Sequence, residues 1–237
     1  GTALPGNMAL GATRSREYAQ NVGQIIGREL SSLGINTNLG PVLDVNNNPG
    51  NAVIGLRSFS SNPDLVAELG VATIQGLKEY NVSGAAKHFP GHGDTEVDSH
   101  YGLPEVNKSL TELLRMELLP FQAAMDECVA MAMTAYMMFP QLDREYPATL
   151  SHNILTGLMR EEMGYEGVII TDAMNMAAIA DNFGETEAAK RAIYAGVDIV
   201  LMPTILRSKA DVENKLAPMI EDLVNEAETP PEFMERL

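Results

Sequence analysis

Three of the four histidines in this chain lie close together, at His88, His92 and His100. Asp98 stands two residues before His100, so in a turn its carboxylate can reach one ring nitrogen of that histidine. A carboxylate in this position fixes the imidazole tautomer and stabilises the imidazolium, which leaves the other nitrogen to exchange a proton with a substrate. The spacing therefore indicates a general acid/base pair of Asp98 and His100.

Two other interpretations of the same stretch stay open. A metal site would use His88 and His92, with Asp98 or His100 as a further ligand. Histidines four residues apart chelate well when a helix places both on one face, and the Pro-Gly pair between them disfavours a helix. The remaining interpretation is a polar loop whose histidines have no common role.

A second carboxylate, Asp172, directly follows an apolar run at 168–171. That run has the β-branched composition of a buried strand. In parallel α/β folds, sites are built at the carboxyl ends of the strands. The histidine-rich stretch also follows a predicted strand, so we expect Asp172 and His100 on one face of the sheet. The alternative is that Asp172 caps a helix that begins at Ala173.

Three further side chains are chemically informative. Asp44 ends a predicted strand, and we expect it to be a buried structural carboxylate that accepts hydrogen bonds from loop amides. Arg57 lies in the loop that follows, as a surface charge or as a fork that grips the oxygens of a polar ligand. Cys128 stands at the start of an apolar run and is expected in the core.

The elements that must position these residues alternate along the chain. Apolar runs without clean polar alternation predict strands covered on both faces, and hence a parallel sheet. Five strands are expected, each followed by a helix, with one more helix in front. The predicted strands are 35–45, 82–88, 129–135, 168–171 and 197–202.

The helices are predicted from periodicity and capping signals. Asn62 followed by Pro63 marks one helix start, and the pair Ser109 and Glu112 forms a capping box for another, with Pro120 as a break. Residues before the first helix are expected to form a loop. The predicted helices cover 14–33, 62–77, a segment from 109 across Pro120, 151–164, 187–195 and 208–225.

The composition and net charge exclude several classes of protein. The 237 residues carry 16 Lys and Arg against 32 Asp and Glu, a net charge of −16, which argues against a nucleic-acid or anionic-membrane partner. A single cysteine excludes an intrachain disulfide framework. We expect one α/β domain over residues 1–237, either an open doubly wound sheet or part of a (β/α)8 barrel. No GxGxxG motif follows the first strand, so a dinucleotide fold has no support.

Several longer motifs occur in a fixed order along the chain. Residues 87–100 read KHFPGHGDTEVDSH, residues 38–45 read NLGPVLDV, residues 55–59 read GLRSF, and residues 171–176 read TDAMNM. Together they resemble glycoside hydrolase family 3, and specifically its bacterial β-N-acetylglucosaminidase branch. The stretch at 87–100 is the most specific of these motifs, whereas the TDA triplet alone is weak.

The resemblance implies a (β/α)8-type domain, incomplete here with about five strands, and a retaining mechanism. Asp172 would match the nucleophile, and His100 the general acid/base with Asp98 as its partner, in place of the carboxylate pair of most retaining glycosidases. Substrate-binding positions that contact the terminal N-acetylglucosamine would be Arg57, Lys87 and His88. The resemblance implies a carbohydrate substrate and no metal or organic cofactor.

The chain departs from the family pattern in two ways. Tyr136 stands where the family usually has His, which is expected to alter substrate contacts without removing the chemistry. Relatives also carry upstream strands with an Asp-x-Glu-Gly-Gly segment that this sequence does not contain. Since five strands do not close a barrel, we expect a second copy or a partner chain to complete the sheet. The chain begins at Gly1, and its compartment, cytoplasmic or cell-wall-associated, is not set by the sequence.

The function expected from the resemblance is removal of terminal non-reducing β-N-acetylglucosamine from cell-wall-derived sugars through a covalent intermediate. Alternatives within the family are a β-glucosidase and a phosphorylase. The Asp-x-His loop at 98–100 favours the first function over a β-glucosidase, while sequence does not separate hydrolysis from phosphorolysis. An alternative of a different class is a catalytically weak fragment that serves as a folding or assembly module.

Overall fold

The computed structural model of the protein describes residues 1–95, 103–174, 182–201 and 204–228. Its centre is one parallel sheet of four strands in the spatial order β1-β2-β3-β4. This order follows the chain, as in a (β/α) barrel, and within the described residues the sheet is not closed. The strands are β1 (Thr37–Asn38), β2 (Ser83–Phe89), β3 (Met131–Thr134) and β4 (Val168–Ile170).

Helices and short helical turns connect the strands and flank the sheet. A π-type helix, Asn153–Glu162, lies between β3 and β4, and a π-type turn, Val212–Leu216, joins the last two helices. Single 3₁₀ turns occur at Gly55–Arg57 and Ala148–Leu150. The α-helices are α1 (Asn7–Thr13), α2 (Arg16–Ser32), α3 (Pro63–Lys78), α4 (Leu110–Arg115), α5 (Leu119–Asp126), α6 (Glu185–Ala195), α7 (Lys209–Asp211) and α8 (Ala217–Glu228).

Two helices begin at the capping residues that the sequence predicts, Asn62 and Ser109. The side chain of Asn62 accepts a hydrogen bond from the N–H of Leu65 at 3.0 Å, which satisfies one free donor at the start of α3. At the start of α4, the Ser109 side chain accepts from the N–H of Glu112, and the Glu112 carboxylate accepts from the N–H of Ser109 at 2.8 Å. The predicted capping box is therefore confirmed.

The fifth predicted strand, at 197–202, is shorter than expected. In the described part of this segment it is a single parallel bridge between Ile170 and Ile199. The carboxylate of Asp198 accepts the N–H of Ile169 at 2.7 Å, and the N–H groups of Asp198 and Ile199 both reach the carbonyl of Ile169. On one side of the bridge the Asp198 carboxylate thus takes a donor that a regular ladder would use, and on the other side the N–H of Leu201 bonds to the Thr171 side chain at 2.9 Å.

The first predicted strand, at 35–45, is also interrupted. After β1, pairing with β2 resumes at a bridge between Val42 and Lys87. Pro41 lies between the two paired parts and has no N–H to donate to a ladder. The segment follows the predicted strand, but only Thr37–Asn38 forms a regular ladder with β2.

Two other expectations are wrong. The first residues contain α1 rather than a loop, and Leu10 of that helix is buried. Cys128 is exposed rather than in the core, because it occupies a left-handed turn (φ 54°) that connects α5 to β3. Its N–H bonds to the carbonyl of Met125 at 2.8 Å, which closes the turn at the end of α5.

Close helix packing supports the β1 and β2 side of the sheet. A Cβ placed on Gly23 of α2 would lie 2.3 Å from the carbonyl oxygen of Thr73, and one on Gly76 of α3 would lie 2.2 Å from that of Gln20. Both glycines are therefore needed for the two helix backbones to touch. Among the helices that the structure describes, none combines the length and the apolar composition of a membrane span.

Candidate active site

The candidate site lies at the carboxyl ends of β2 and β4. His88 belongs to the end of β2, Asp172 follows β4 by two residues, and Arg57 comes from the 3₁₀ turn. The Nε2 atom of His88 lies 3.9 Å from Oδ2 of Asp172 and 3.3 Å from an Nη atom of Arg57. Three side chains chosen from the sequence are thus brought together.

A bulge in β2 directs His88 into this position. Lys87 pairs with Met133 and Phe89 pairs with Thr134, so His88 is an extra residue between two consecutive partners on β3. Bulges of this kind bend a strand locally and re-aim a side chain. The sheet therefore presents His88 at its carboxyl edge, where Asp172 also lies.

Asp44 is the buried partner of His88. Its carboxylate has no solvent exposure, and Oδ2 lies 2.7 Å from Nδ1 of His88. Its Oδ1 accepts the N–H groups of His88 at 3.2 Å and of His92 at 2.7 Å. Burial acts to raise the pKa of Asp44, but the neighbouring His88 and His92 outweigh it and hold that pKa below its usual range.

The expectation of a buried carboxylate bonded to loop amides is confirmed for Asp44. Its bond to the His88 ring was not predicted. This pattern assigns the His88 proton to Nδ1, where it is donated to Asp44, and leaves the Nε2 lone pair to accept from Arg57. Asp44 thereby orients both the ring of His88 and, through that ring, the guanidinium of Arg57.

Lys87 lies beside these groups and is half-buried. Burial lowers its pKa, and the charge of Arg57 lowers it further, while Asp172 and Asp44 oppose the shift. The two cationic side chains, Arg57 and Lys87, therefore share this edge of the sheet with the partly exposed carboxylate of Asp172. Such a group of donors and acceptors suits a ligand that carries many hydroxyl or carbonyl oxygens.

Asp172 accepts a hydrogen bond at one carboxylate oxygen, and its side chain is partly exposed. Its Oδ1 accepts the N–H of Ala173 at 2.7 Å, and 28% of its side chain is exposed. Tyr136 donates its hydroxyl to the backbone carbonyl of Asp172 at 2.6 Å. The alternative prediction is a helix that begins at Ala173 and is capped by Asp172. Most of that segment lies outside the described residues, which include only 173 and 174 of it.

The loop after β2 packs on the loop after β1. Asn51 donates to the carbonyl of His92 at 2.7 Å, and the His92 Nδ1 atom lies 2.8 Å from Oγ1 of Thr95. A Cβ on Gly93 would lie 1.7 Å from the carbonyl oxygen of Val45, so only glycine permits this approach. Asp98 and His100, the predicted acid/base pair, lie outside the described residues.

A partly buried ion cluster joins the segments of chain that precede and follow Asp98 and His100. Lys108 places its Nζ atom 2.6 Å from Oδ2 of Asp94 and 2.5 Å from Oε1 of Glu117. Glu117 is fully buried, and its Oε1 also accepts from Asn47 at 3.0 Å. Burial acts to lower the pKa of Lys108, but its bonds to Asp94 and Glu117 raise it overall. Sequence reasoning missed this cluster, since its members are scattered along the chain.

Of the residues in the metal interpretation, His88 and His92 lie in the described part of the chain. Among the described residues, no group of three or more His, Cys, Asp or Glu side chains is arranged to hold a metal ion. The rings of His88 and His92 have centroids 6.3 Å apart, and the Nδ1 atoms are taken by Asp44 and Thr95. The remaining candidate ligands, Asp98 and His100, are outside the described part.

The chain has clear relatives among known protein families and curated proteins. The model of the "Glycosyl hydrolase family 3 N terminal domain" matches residues 1–236. β-Hexosaminidase A of Pseudoalteromonas piscicida is 45% identical over 227 residues, which cover 90% of this chain and 38% of the relative. A β-hexosaminidase of Neisseria meningitidis serogroup A is 40% identical over 193 residues, which cover 81% of this chain and 53% of the relative. The chain thus spans about half or less of these relatives.

The fold agrees with solved structures. A glycoside hydrolase family 3 β-N-acetylglucosaminidase from Paenibacillus sp. str. FPU-7 superposes with a TM-score of 0.91 at 42% identity, covering 99% of this chain and 44% of that one. The open parallel sheet is consistent with an incomplete barrel of this family. Since the family model matches nearly every residue, the chain belongs to glycosyl hydrolase family 3, in the region of its N-terminal domain.

Proposed function

We propose that residues 1–237 form part of the barrel domain of a retaining glycosidase that removes terminal non-reducing β-N-acetylglucosamine from cell-wall-derived sugars. The observation that carries the proposal is Asp172, an accessible carboxylate at a strand end with one oxygen anchored and the other 3.9 Å from the Nε2 atom of His88. The names of the relatives, β-hexosaminidase and β-N-acetylglucosaminidase, support this class of sugar.

In the first step, Asp172 acts as the nucleophile. One carboxylate oxygen attacks the anomeric carbon and forms an ester, while the bond from that carbon to the glycosidic oxygen breaks. His100 donates its proton to the departing oxygen, and Asp98 stabilises the imidazolium that carries this proton before transfer. The leaving sugar or aglycone departs as a neutral alcohol.

In the second step, water releases the sugar. His100, now neutral, accepts a proton from the water, whose oxygen attacks the anomeric carbon. The ester bond breaks, and Asp172 returns as a carboxylate. Two displacements at the same carbon restore its configuration, so the product has the β configuration of the substrate.

Arg57, Lys87 and His88 are proposed to bind the terminal sugar. Arg57 and Lys87 supply N–H donors to the hydroxyl and acetamido oxygens, and a bidentate fork suits paired oxygens. His88 is fixed by Asp44, which limits the rotation of its ring. Side chains that are already fixed lower the ordering cost when the sugar binds.

Product analysis tests this reaction class. An aryl β-N-acetylglucosaminide is hydrolysed while proton NMR follows the anomeric signal, and the β anomer is expected first. Initial release of the α anomer would rule out two displacements. The same assay with an aryl β-glucoside tests the glucosidase alternative, and added phosphate tests phosphorolysis through formation of a sugar 1-phosphate.

The role of His100 is tested by comparing leaving groups. Activated aryl glycosides need little acid assistance, so His100→Ala should slow the first step much less for them than for natural sugars. His152→Ala, at an exposed histidine, serves as the control. Equal losses for both substrate classes would contradict a general-acid role.

A further inference from the structure

Tyr136 lies two residues after the end of β3, and its side chain is almost fully buried at 1% exposure. The sequence marked this residue as a departure from the family pattern and suggested an altered substrate contact. In the structure its hydroxyl instead donates to the backbone carbonyl of Asp172, at 2.6 Å. The residue thus acts on the backbone of the proposed nucleophile.

The chain around Asp172 is tied on its other side to the segment at 199–201. The N–H of Thr171 bonds to the carbonyl of Ile199 at 3.0 Å, and the Thr171 side chain accepts the N–H of Leu201 at 2.9 Å. Both of these bonds precede the Asp172 carbonyl, and the next bond to this segment, from the N–H of Met174 to the carbonyl of Leu201 at 3.0 Å, follows it. Strand β4 ends at Ile170, so that carbonyl lies beyond the regular ladder.

We propose that Tyr136 is a positioning residue for the nucleophile. Its hydroxyl fixes the peptide that follows the Asp172 side chain, and this sets the direction in which the free carboxylate oxygen points. A residue that follows β3 thereby helps to orient a carboxylate that follows β4. The inference rests on the proposed function, because it assumes that Asp172 is the attacking group.

The hydroxyl remains a donor through the working pH range. Burial raises the pKa of Tyr136 well above its ordinary value, and the negative charge of Asp172 raises it further, while the Thr171 side chain opposes the shift. The phenol therefore keeps its proton. A group that does not exchange its proton acts through geometry, and its removal should leave the shape of the pH–rate profile unchanged.

Tyr136→Phe removes only the hydroxyl, and Tyr165→Phe is a matched control. Tyr165 is 4% exposed, and its hydroxyl lies 3.3 Å from the carbonyl of Val129 and 3.4 Å from that of Val168, at the start of β4 rather than its end. Both variants lose one buried tyrosine hydroxyl next to the same strand. Only Tyr136→Phe should affect the chemistry.

The experiment measures the rate at which an activated 5-fluoro N-acetylglucosaminide labels the full chain, with the labelled residue located by mass spectrometry. Misplacing a reacting group by about 1 Å can lower a rate by about 100-fold. We therefore expect Tyr136→Phe to label Asp172 about 10- to 100-fold more slowly at saturating reagent, with an unchanged pH profile, and Tyr165→Phe to match the unsubstituted chain. If Tyr136→Phe does not fold, Tyr136→Met supplies the same loss of the hydroxyl.

The outcomes separate the two proposals. Labelling of Asp172 in Tyr136→Phe at the unsubstituted rate, or an equal loss in both tyrosine variants, would overturn the positioning role and leave the nucleophile intact. A changed pH profile in Tyr136→Phe alone would replace positioning by proton transfer. Absence of label on Asp172 in the unsubstituted chain would overturn the proposed nucleophile, and the Tyr136 inference with it.

Discussion

The buried carboxylate of Asp44 holds the ring of His88, with Oδ2 2.7 Å from Nδ1. The two residues lie 44 positions apart in the chain, at the ends of neighbouring strand segments. The bond places the His88 proton on the side away from Asp172 and leaves Nε2 as an acceptor for Arg57. One buried charge thus orders two of the side chains proposed to bind the sugar.

Replacing the Asp44 carboxylate with an amide of the same shape should lower activity more than it lowers the stability of the fold. In Asp44→Asn, an amide N–H can face Nδ1, which moves the His88 proton to Nε2, where it opposes the N–H of Arg57. We expect kcat/KM to fall by about 10- to 100-fold, in proportion to the loss of one or two charge-assisted hydrogen bonds.

Asp198→Asn is the matched control for that variant. Asp198 also accepts a backbone N–H, that of Ile169, and pairs with Arg160, but it lies at the opposite end of β4. It should lose stability with kcat/KM for the folded fraction preserved. Steady-state kinetics that show equal kcat/KM for Asp44→Asn and the unsubstituted chain would rule out an ordering role for Asp44.

The depressed pKa of Asp44 predicts a pH dependence of stability. A carboxyl whose pKa is lower in the folded state stabilises the fold above its unfolded pKa, and that contribution is lost as pH falls through the folded value. The ordinary value is 3.8, so the difference in unfolding free energy between the unsubstituted chain and Asp44→Asn should stay constant from pH 7 to about 5 and shrink below about 4. Urea titrations across this range measure it, and a difference that grows on acidification would contradict the assignment.

The cluster around Lys108 should make a large contribution to stability. Lys108→Met leaves the buried carboxylate of Glu117 without its cation, and breaking a buried pair from one side costs about 3–5 kcal/mol. Since Lys108 is 24% exposed, we expect a loss near the lower end of that range. The double variant Lys108→Met/Glu117→Gln should recover part of it, because no buried charge remains.

The control for this pair is Lys209→Met. Lys209 pairs with Glu213 at 3.4 Å on an exposed helix surface, and such pairs contribute little. Chemical denaturation of the four chains gives the comparison. A double variant that is less stable than Lys108→Met alone would argue against an uncompensated charge as the source of the loss.

Much of the site could be predicted from residue order alone. Asp172 and His88 follow or end apolar strands, and parallel strands bring their carboxyl ends to one edge, so their proximity follows from the topology. The bond between Asp44 and His88 and the cluster of Lys108, Asp94 and Glu117 could not be found in this way, because they depend on loop paths between distant segments. The short fifth strand escaped prediction because the side chains of Asp198 and Thr171 accept backbone N–H groups on either side of its single bridge.

The open edge of the sheet predicts self-association of the 237-residue chain. In the described part of the chain β1 lies at an edge, and Leu33, Ile35 and Leu39 beside it are 75%, 43% and 38% exposed. Exposed edges with apolar neighbours pair with other chains. Light scattering should give a mass above that of a monomer, and Ile35→Lys with Leu39→Lys should lower it. The control Ile220→Lys, on α8, should not. A stable monodisperse monomer would contradict this prediction.

The identity of the residue that forms the covalent intermediate is the most direct test of the account. The unsubstituted chain is treated with a 5-fluoro N-acetylglucosaminide that carries a good leaving group, then digested and analysed by mass spectrometry. The account predicts a stoichiometric adduct on the peptide that contains Asp172, absent from Asp172→Asn and retained in Asp126→Asn, which changes an exposed aspartate. An adduct on another residue, or one that persists in Asp172→Asn, would show that Asp172 is not the nucleophile.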